Sequence, residues 1–326
     1  MGMIDRVDAY QRRHRWAGLP LAVVYKFGDD EGPYLTALIT YYGFLSLFPL
    51  LLLLVTVLGF ALQDDPGLQQ RVLDSALAQF PVIGDQIGAN IHSFHGSVPA
   101  LVAGVVGSLY GGLGVVQAAQ NALNRMWGVP RNSRPNPLAA RGRSLALLAA
   151  GGGAVLATTA LSAVTASAGH FGGGVRAAAI AVAVAINVVL FTVAFRVLTA
   201  RSLSIAQVRT GAVAAAVVWQ ALQWSGAFLL GHTLKGATAT YGMFGLVLGM
   251  LAWLYLGAAT FVLGAEINVV RDRRLWPRSL LTPFTDNVEL TSGDRRAYTS
   301  YAETERRKGF QNVDVDFDPP PRDAGG

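Results

Sequence analysis

The stretch PYLTALITYYGFLSLFPLLLLLVTVLGFAL, residues Pro33–Leu62, decides the fold: thirty consecutive positions carry no charged side chain. Wound as a helix at 1.5 Å per residue it is about 45 Å long, more than the ~20 residues that cross a ~30 Å hydrocarbon core. In lipid such a segment has to be helical, because only a helix satisfies its own backbone hydrogen bonds there. Five further runs share its character: Val98–Asn124, Leu145–Ser167, Val175–Phe195, Val208–Leu230 and Gly242–Val270. The expectation is an all-α polytopic membrane protein built on a six-helix transmembrane bundle.

Composition agrees. The chain is 52% hydrophobic and only 14% charged, against about 25% charged in soluble domains. Between Asp85 and Glu266 there is no carboxylate at all. A net charge of +6 is compatible with nucleic-acid binding, but its placement argues against it. On the six-span topology Lys and Arg number five before the first span, five in Arg125–Arg143, three in Arg196–Arg209 and ten after the sixth span. Only Arg71, Arg176 and Lys235 fall on the opposite side. The positive-inside rule then puts both termini in the cytoplasm, with the basic excess facing anionic lipid. No nucleic-acid partner is expected, and the oligomeric state stays open. No cysteine is present, so disulfides and thiolate chemistry are excluded. The N-terminus does not read as a cleavable signal.

The chain divides into three parts. Residues 1–32 read as a cytoplasmic juxtamembrane amphipathic helix, with Ile4, Val7 and Tyr10 at helical spacing. Residues 33–270 form the transmembrane domain, with short helices expected in an external hairpin at about 63–97. Residues 271–326 read as a largely disordered cytoplasmic tail, ending in the composition of Gln311–Gly326. Gly107-Ser-Leu-Tyr-Gly111 and Gly245-Leu-Val-Leu-Gly249 are small-residue spacings that let helices approach closely.

Polar groups inside a membrane are costly, which makes them candidates for function. Glu266 is the one acid within the spans, about a turn before Arg271. Arg196 sits at similar depth near the end of span four, and a Glu266–Arg196 ion pair is the natural pairing. It could be a site, or a clamp fixing helix register, or Arg196 could snorkel to the interface. Gln117, Gln120, Asn121 and Asn124 share one helix face. With Tyr41, Ser46 and Asn268 they are consistent with one polar cavity opening inward, or with interhelical amide bonds and no cavity. Pro49, deep in span one, is expected to kink it. His92, His95, His170 and His232 fall on outer loops near Asp64, Asp65, Asp74 and Asp85, a weak external metal pattern. No catalytic motif is present and no cofactor is expected.

Several of these segments together resemble a known family. Thr36-Ala-Leu-Ile-Thr-Tyr-Tyr-Gly-Phe-Leu-Ser-Leu-Phe-Pro49, Asn121-Ala-Leu-Asn-Arg-Met-Trp127, Tyr241-Gly242, Trp253-Leu-Tyr255 and Gly264-Ala-Glu-Ile-Asn268 occur in order. They resemble the YihY/BrkB family of bacterial inner-membrane proteins from about residue 20 to 275. The chain departs from the family at Val197-Leu-Thr199, where a leucine-leucine-proline is usual. The resemblance implies a six-span inner-membrane protein linked to serum resistance and to envelope or lipid handling. The family also carries an old ribonuclease BN label, which a core with one carboxylate does not favour.

The leading expectation is therefore translocation or handling of a lipid or amphiphilic envelope component, with membrane lipids as partners. The alternative is a non-transporting scaffold that organises envelope or cytoplasmic partners. Under the first, Glu266→Gln abolishes activity and leaves folding intact. Under the second, deleting Arg295–Gly326 destroys function.

Overall fold

The computed structural model describes residues 3–61, 67, 98–134, 142, 173–232 and 234–318. The third apolar run, the external hairpin, and His92, His95 and His170 with the nearby aspartates lie outside the described residues. Among those described, every regular element is helical: α1 (Met3–Arg13), α2 (Arg15–Asp29), α3 (Gly32–Ala61), α4 (Val98–Met126), α5 (Gly173–Leu198), α6 (Ile205–His232), α7 (Leu234–Asp272) and α8 (Ser292–Thr304), with a 3₁₀ turn at Arg131–Ser133. Among the described residues three helical segments, Ile180–Leu198, Ile205–Gln223 and Val247–Asp272, are long and apolar enough to cross a membrane. Only 6% of the α5 segment is buried. Apolar side chains on such an outward face are a liability in water and natural in lipid.

Four helices, α3 to α6, follow the apolar runs closely. α7 instead begins at Leu234, ahead of the run that starts at Gly242. Lys235-Gly-Ala-Thr-Ala-Thr240 contains no proline to stop a helix, so the helix extends past the apolar boundary. α7 is the central element, touching α2, α3, α4 and α6, while α5 packs on α6.

Two crossings owe their closeness to glycine. On α4, Gly107, Gly111 and Gly114 face α3, where a Cβ would strike Pro49, Ser46 and Tyr42 respectively. Pro49 lies within a continuous α3 and packs its ring on this stripe. Where α6 crosses α7, a Cβ on Gly211 would collide with the Gly264 carbonyl and the Asn268 amide. Tight helix approach through small residues is the usual device for association in a membrane.

Residues 3–29 and 273–304 are folded, and this corrects two expectations. The single N-terminal helix is two, broken at His14, whose backbone is extended (φ −114°). Residues 273–304, expected to belong to a disordered tail, pack instead against α1 and α2. The reason is local. Thr291 and Asp294 form a capping box that starts α8, each side chain accepting from the other's backbone N–H. Asp294 is buried and also takes the Arg278 Nε proton at 2.5 Å and the Ser279 N–H at 3.1 Å. Residues 311–318 have no regular structure.

Candidate functional site

Two features of the interior stand out: a buried charged cluster where α2, α4 and α7 meet, and an apolar cavity further along α7.

Glu266 of α7 is 0% exposed and Lys26 of α2 is 2% exposed. Lys26 Nζ lies 3.9 Å from Glu266 Oε2, donates to Asp30 one turn along its own helix, and reaches the Met126 carbonyl at 3.3 Å. One ammonium therefore serves two carboxylates and a helix C-terminus, where a cation complements the free carbonyls. Neither Glu266 oxygen receives a hydrogen bond. Tyr301 of α8 covers the cluster, its ring 5.0 Å from Lys26 Nζ and its hydroxyl donating to Asp29 at 2.9 Å. Asp29 also accepts from Arg278 at 3.0 Å. Burial works to lower the Arg278 pKa, but Asp29 and Asp294 more than offset it and the net shift is upward. Arg273 adds a second tie at the end of α4, donating to the Trp127 carbonyl and, at 2.5 Å, to Ser300. Gly128 (φ +57°) turns the chain out of α4 there.

This arrangement replaces the Glu266–Arg196 pair expected from the sequence. Arg196 turns its Nε to the Leu203 carbonyl at 2.8 Å, tying the end of α5 to the loop before α6. Lys26 was missed because its partner is 240 positions away, and no periodicity encodes that distance. The available clue was a lysine, one of three in an arginine-rich chain, four residues before Asp30.

The remaining polar candidates are not gathered around one cavity. Asn124 Oδ1 accepts from the Ala200 N–H at 2.7 Å and Asn268 Oδ1 from the Gly211 N–H at 2.6 Å, each joining two elements. Asn121 accepts from Arg134 at 2.9 Å. Gln120 is buried, Ser46 donates within α3 to the Gly43 carbonyl at 2.9 Å, and Tyr41 is 56% exposed on the outer face. Asn268 ties two helices and Asn124 a helix to a loop, so these bonds describe the residues better than a polar cavity does.

A cavity among the described residues is apolar. It has a volume of about 360 Å³, is partly open, and lies between α3, α4, α6 and α7, with Leu198 of α5 at its edge. Thr40, Gly43, Trp219, Trp253, Gly257 and Phe261 line it among aliphatic side chains, and none of the described lining residues is charged. Its size falls within the ~300–1,000 Å³ of small-molecule sites. Trp219 and Trp253 stand 6.3 Å apart across it. Trp253 is 7% exposed and its Nε1 has no acceptor, a condition that costs about 1–3 kcal/mol for a buried donor. A Cβ on Gly43 would find only Leu254 Cδ2, at 3.9 Å. Phe261 is five residues, about 7.5 Å along the axis, from Glu266. Sequence periodicity cannot reveal such a space, since it arises where small residues on separate helices coincide.

Fold and interior together define a helical membrane protein whose central helix joins a buried charged cluster to an apolar cavity. The chain belongs to the virulence factor BrkB family, whose family model matches residues 23–285. No curated protein and no solved structure matches it.

Proposed function

We propose that this chain is a six-span protein of the bacterial inner membrane, with both termini cytoplasmic, that translocates or otherwise handles a lipid or amphiphilic envelope component. The apolar cavity carries the reading. A space of about 360 Å³ lined by aromatic and aliphatic side chains, with no charge, suits a hydrocarbon chain. The charge asymmetry of the loops supports the orientation, and membrane lipids are the natural partners. No nucleic-acid partner and no enzymatic step enter this reading.

The test is ligand-dependent stability of the purified protein in detergent, against phospholipids, glycolipids and small amphiphiles. A ligand of the native state raises the midpoint of unfolding. Filling the cavity by Gly43→Leu is expected to remove that rise. An equal rise in both proteins would take the site away from the cavity and the reading with it.

A scaffold role is favoured by one observation, the folded terminal unit of α1, α2 and α8 with Phe284 and Phe310 exposed on it. On that reading Gly43→Leu leaves function in cells intact, and replacing Phe284 and Phe310 by serine abolishes it.

A further inference from the structure

We infer that α1 and α2 form a docking surface for anionic phospholipid, with Trp16, Pro20 and Val24 set among the acyl chains and Arg6, Arg13 and Arg15 against the headgroup phosphates. The surface lies apart from the cavity, and the inference rests on the membrane orientation proposed above.

α2 carries two stripes, and the fold uses one of them. Gly18, Ala22 and Lys26 are buried at four-residue intervals. Trp16, Pro20 and Val24 recur at the same interval two residues out of step, about 200° around the helix. Trp16 is 69% and Val24 61% exposed. An exposed apolar stripe rimmed by polar residues marks an interaction surface.

α1 adds the charge. Arg6, Tyr10 and Arg13 share one exposed face at helical spacing. The Tyr10 ring meets the Trp16 ring edge to face at 5.8 Å, so the break at His14 joins the two helices into one surface. From Arg6 to Gly28 the sequence has five cations and one acid, Asp8. Asp8 is taken by Arg12 at 2.6 Å. Among the described residues no acid pairs with Arg6, Arg13 or Arg15, all of them exposed.

Position names the occupant. α2 stops at Asp29, just before span one opens at Pro33. At its other end Arg15 lies 4.8 Å over the Trp276 ring, shortly past the last span. Lys26 between them reaches the carbonyl of Met126, the last residue of α4. On the six-span reading the helix therefore lies across the cytoplasmic ends of the spans. Tyr34, Leu38, Tyr41 and Leu45 carry an exposed apolar stripe on from there along α3. A helix with an apolar face and basic residues at this level settles at the headgroup–acyl boundary. Trp and Tyr concentrate there, and anionic lipid attracts arginine. A protein partner would have to displace the leaflet from this face.

The chain has no cysteine, so a bimane fluorophore can be placed by Val24→Cys, Leu38→Cys or Asp314→Cys in the otherwise unchanged full-length protein. Each is reconstituted in phosphatidylcholine nanodiscs with or without phosphatidylglycerol, with some lipid spin-labelled near the headgroup end of its acyl chain. Leu38 reports lipid and Asp314 water. The Val24 label is expected to be quenched as the Leu38 label is when phosphatidylglycerol is present, and less without it or at high salt. An arginine near an anionic surface is worth about fivefold in docking. Replacing Arg6, Arg13 and Arg15 together by glutamine should then shift the equilibrium on the order of a hundredfold, returning the Val24 label to the Asp314 level. The salt series on the unsubstituted arginines decides the matter should that variant fail to fold. A Val24 label quenched no more than that of Asp314 overturns the inference and leaves the face to a protein partner. Quenching that ignores phosphatidylglycerol and salt overturns the recognition of anionic lipid. In both cases a quenched Leu38 label leaves the membrane reading standing. An unquenched Leu38 label takes span one out of lipid, and both fall.

Discussion

Lys26 of α2 and Glu266 of α7, 240 positions apart in the chain, bring ammonium nitrogen and carboxylate oxygen to 3.9 Å in a site that neither exposes to solvent. The pair joins the N-terminal helix to the central helix, and Asp30 draws on the same ammonium. Removing one partner of a buried pair strands the other, at a cost of about 3–5 kcal/mol. Lys26→Met leaves two carboxylates without their cation, whereas Glu266→Gln leaves Lys26 and Asp30 paired. Lys26→Met is therefore expected to lower the unfolding midpoint in detergent more than Glu266→Gln. Equal losses would mean that Asp30 contributes nothing to the cluster.

The C-terminal segment gives a second prediction. Arg278 joins Asp294 at 2.5 Å and Asp29 at 3.0 Å, and its backbone carbonyl accepts from Gln11 at 2.6 Å. Arg278→Met is expected to destabilise by about 3 kcal/mol by leaving Asp294 buried without its guanidinium. Ending the chain after Phe310 removes the described residues 311–318, which have no regular structure, and should change stability by no more than about 0.5 kcal/mol. Thermal unfolding of the two proteins checks the contrast. A deletion from Arg295 removes most of α8, so it tests folding before it tests any partner.

Alkaline stability follows from Tyr301. Burial chiefly, with Asp29 and Asp30 adding to it, raises its pKa above the ordinary value of about 10. The folded state then holds this proton more tightly than the unfolded state. Its contribution is whole below about pH 10 and is lost as the pH climbs beyond that. Tyr301→Phe should be less stable at neutral pH, having lost the Asp29 hydrogen bond, but should decline less steeply in alkali. Midpoints measured from neutral to strongly alkaline pH decide it, and parallel curves would refute the assignment.

At the α6–α7 crossing, Gly211→Val forces a side chain against the Gly264 carbonyl and the Asn268 amide. Overpacking of this kind costs about 1–3 kcal/mol, and the Asn268 bond to the Gly211 N–H is lost with it. Gly43→Ala, which faces open space, should be neutral or slightly stabilising. A midpoint for Gly211→Val equal to the wild type would show that the helices do not cross as closely as described.

The apolar runs placed α3 to α7 because hydrophobic length is a local property, readable residue by residue. Glu266 stood out for the same reason, as a lone acid in an apolar helix. Its partner did not, since Arg196 lies at a similar depth in the spans while Lys26 lies before the first of them and meets Glu266 only when the helices pack. The end of the chain was misread because composition weighs polarity. α8 and Arg278 are ordered by a few specific bonds around Asp294, for which the Thr291-Ser-Gly-Asp294 capping pattern was the legible trace. The polar amides on α4 pointed to a cavity, yet Asn124 and Asn121 join elements instead.

The most direct measurement is transbilayer movement of fluorescent phospholipid in vesicles containing the purified protein, comparing wild type with Gly43→Leu after both are shown to fold. The account predicts that the wild type speeds movement above protein-free vesicles and that filling the cavity returns it to the protein-free rate. Movement that is equally fast with the cavity filled would contradict it.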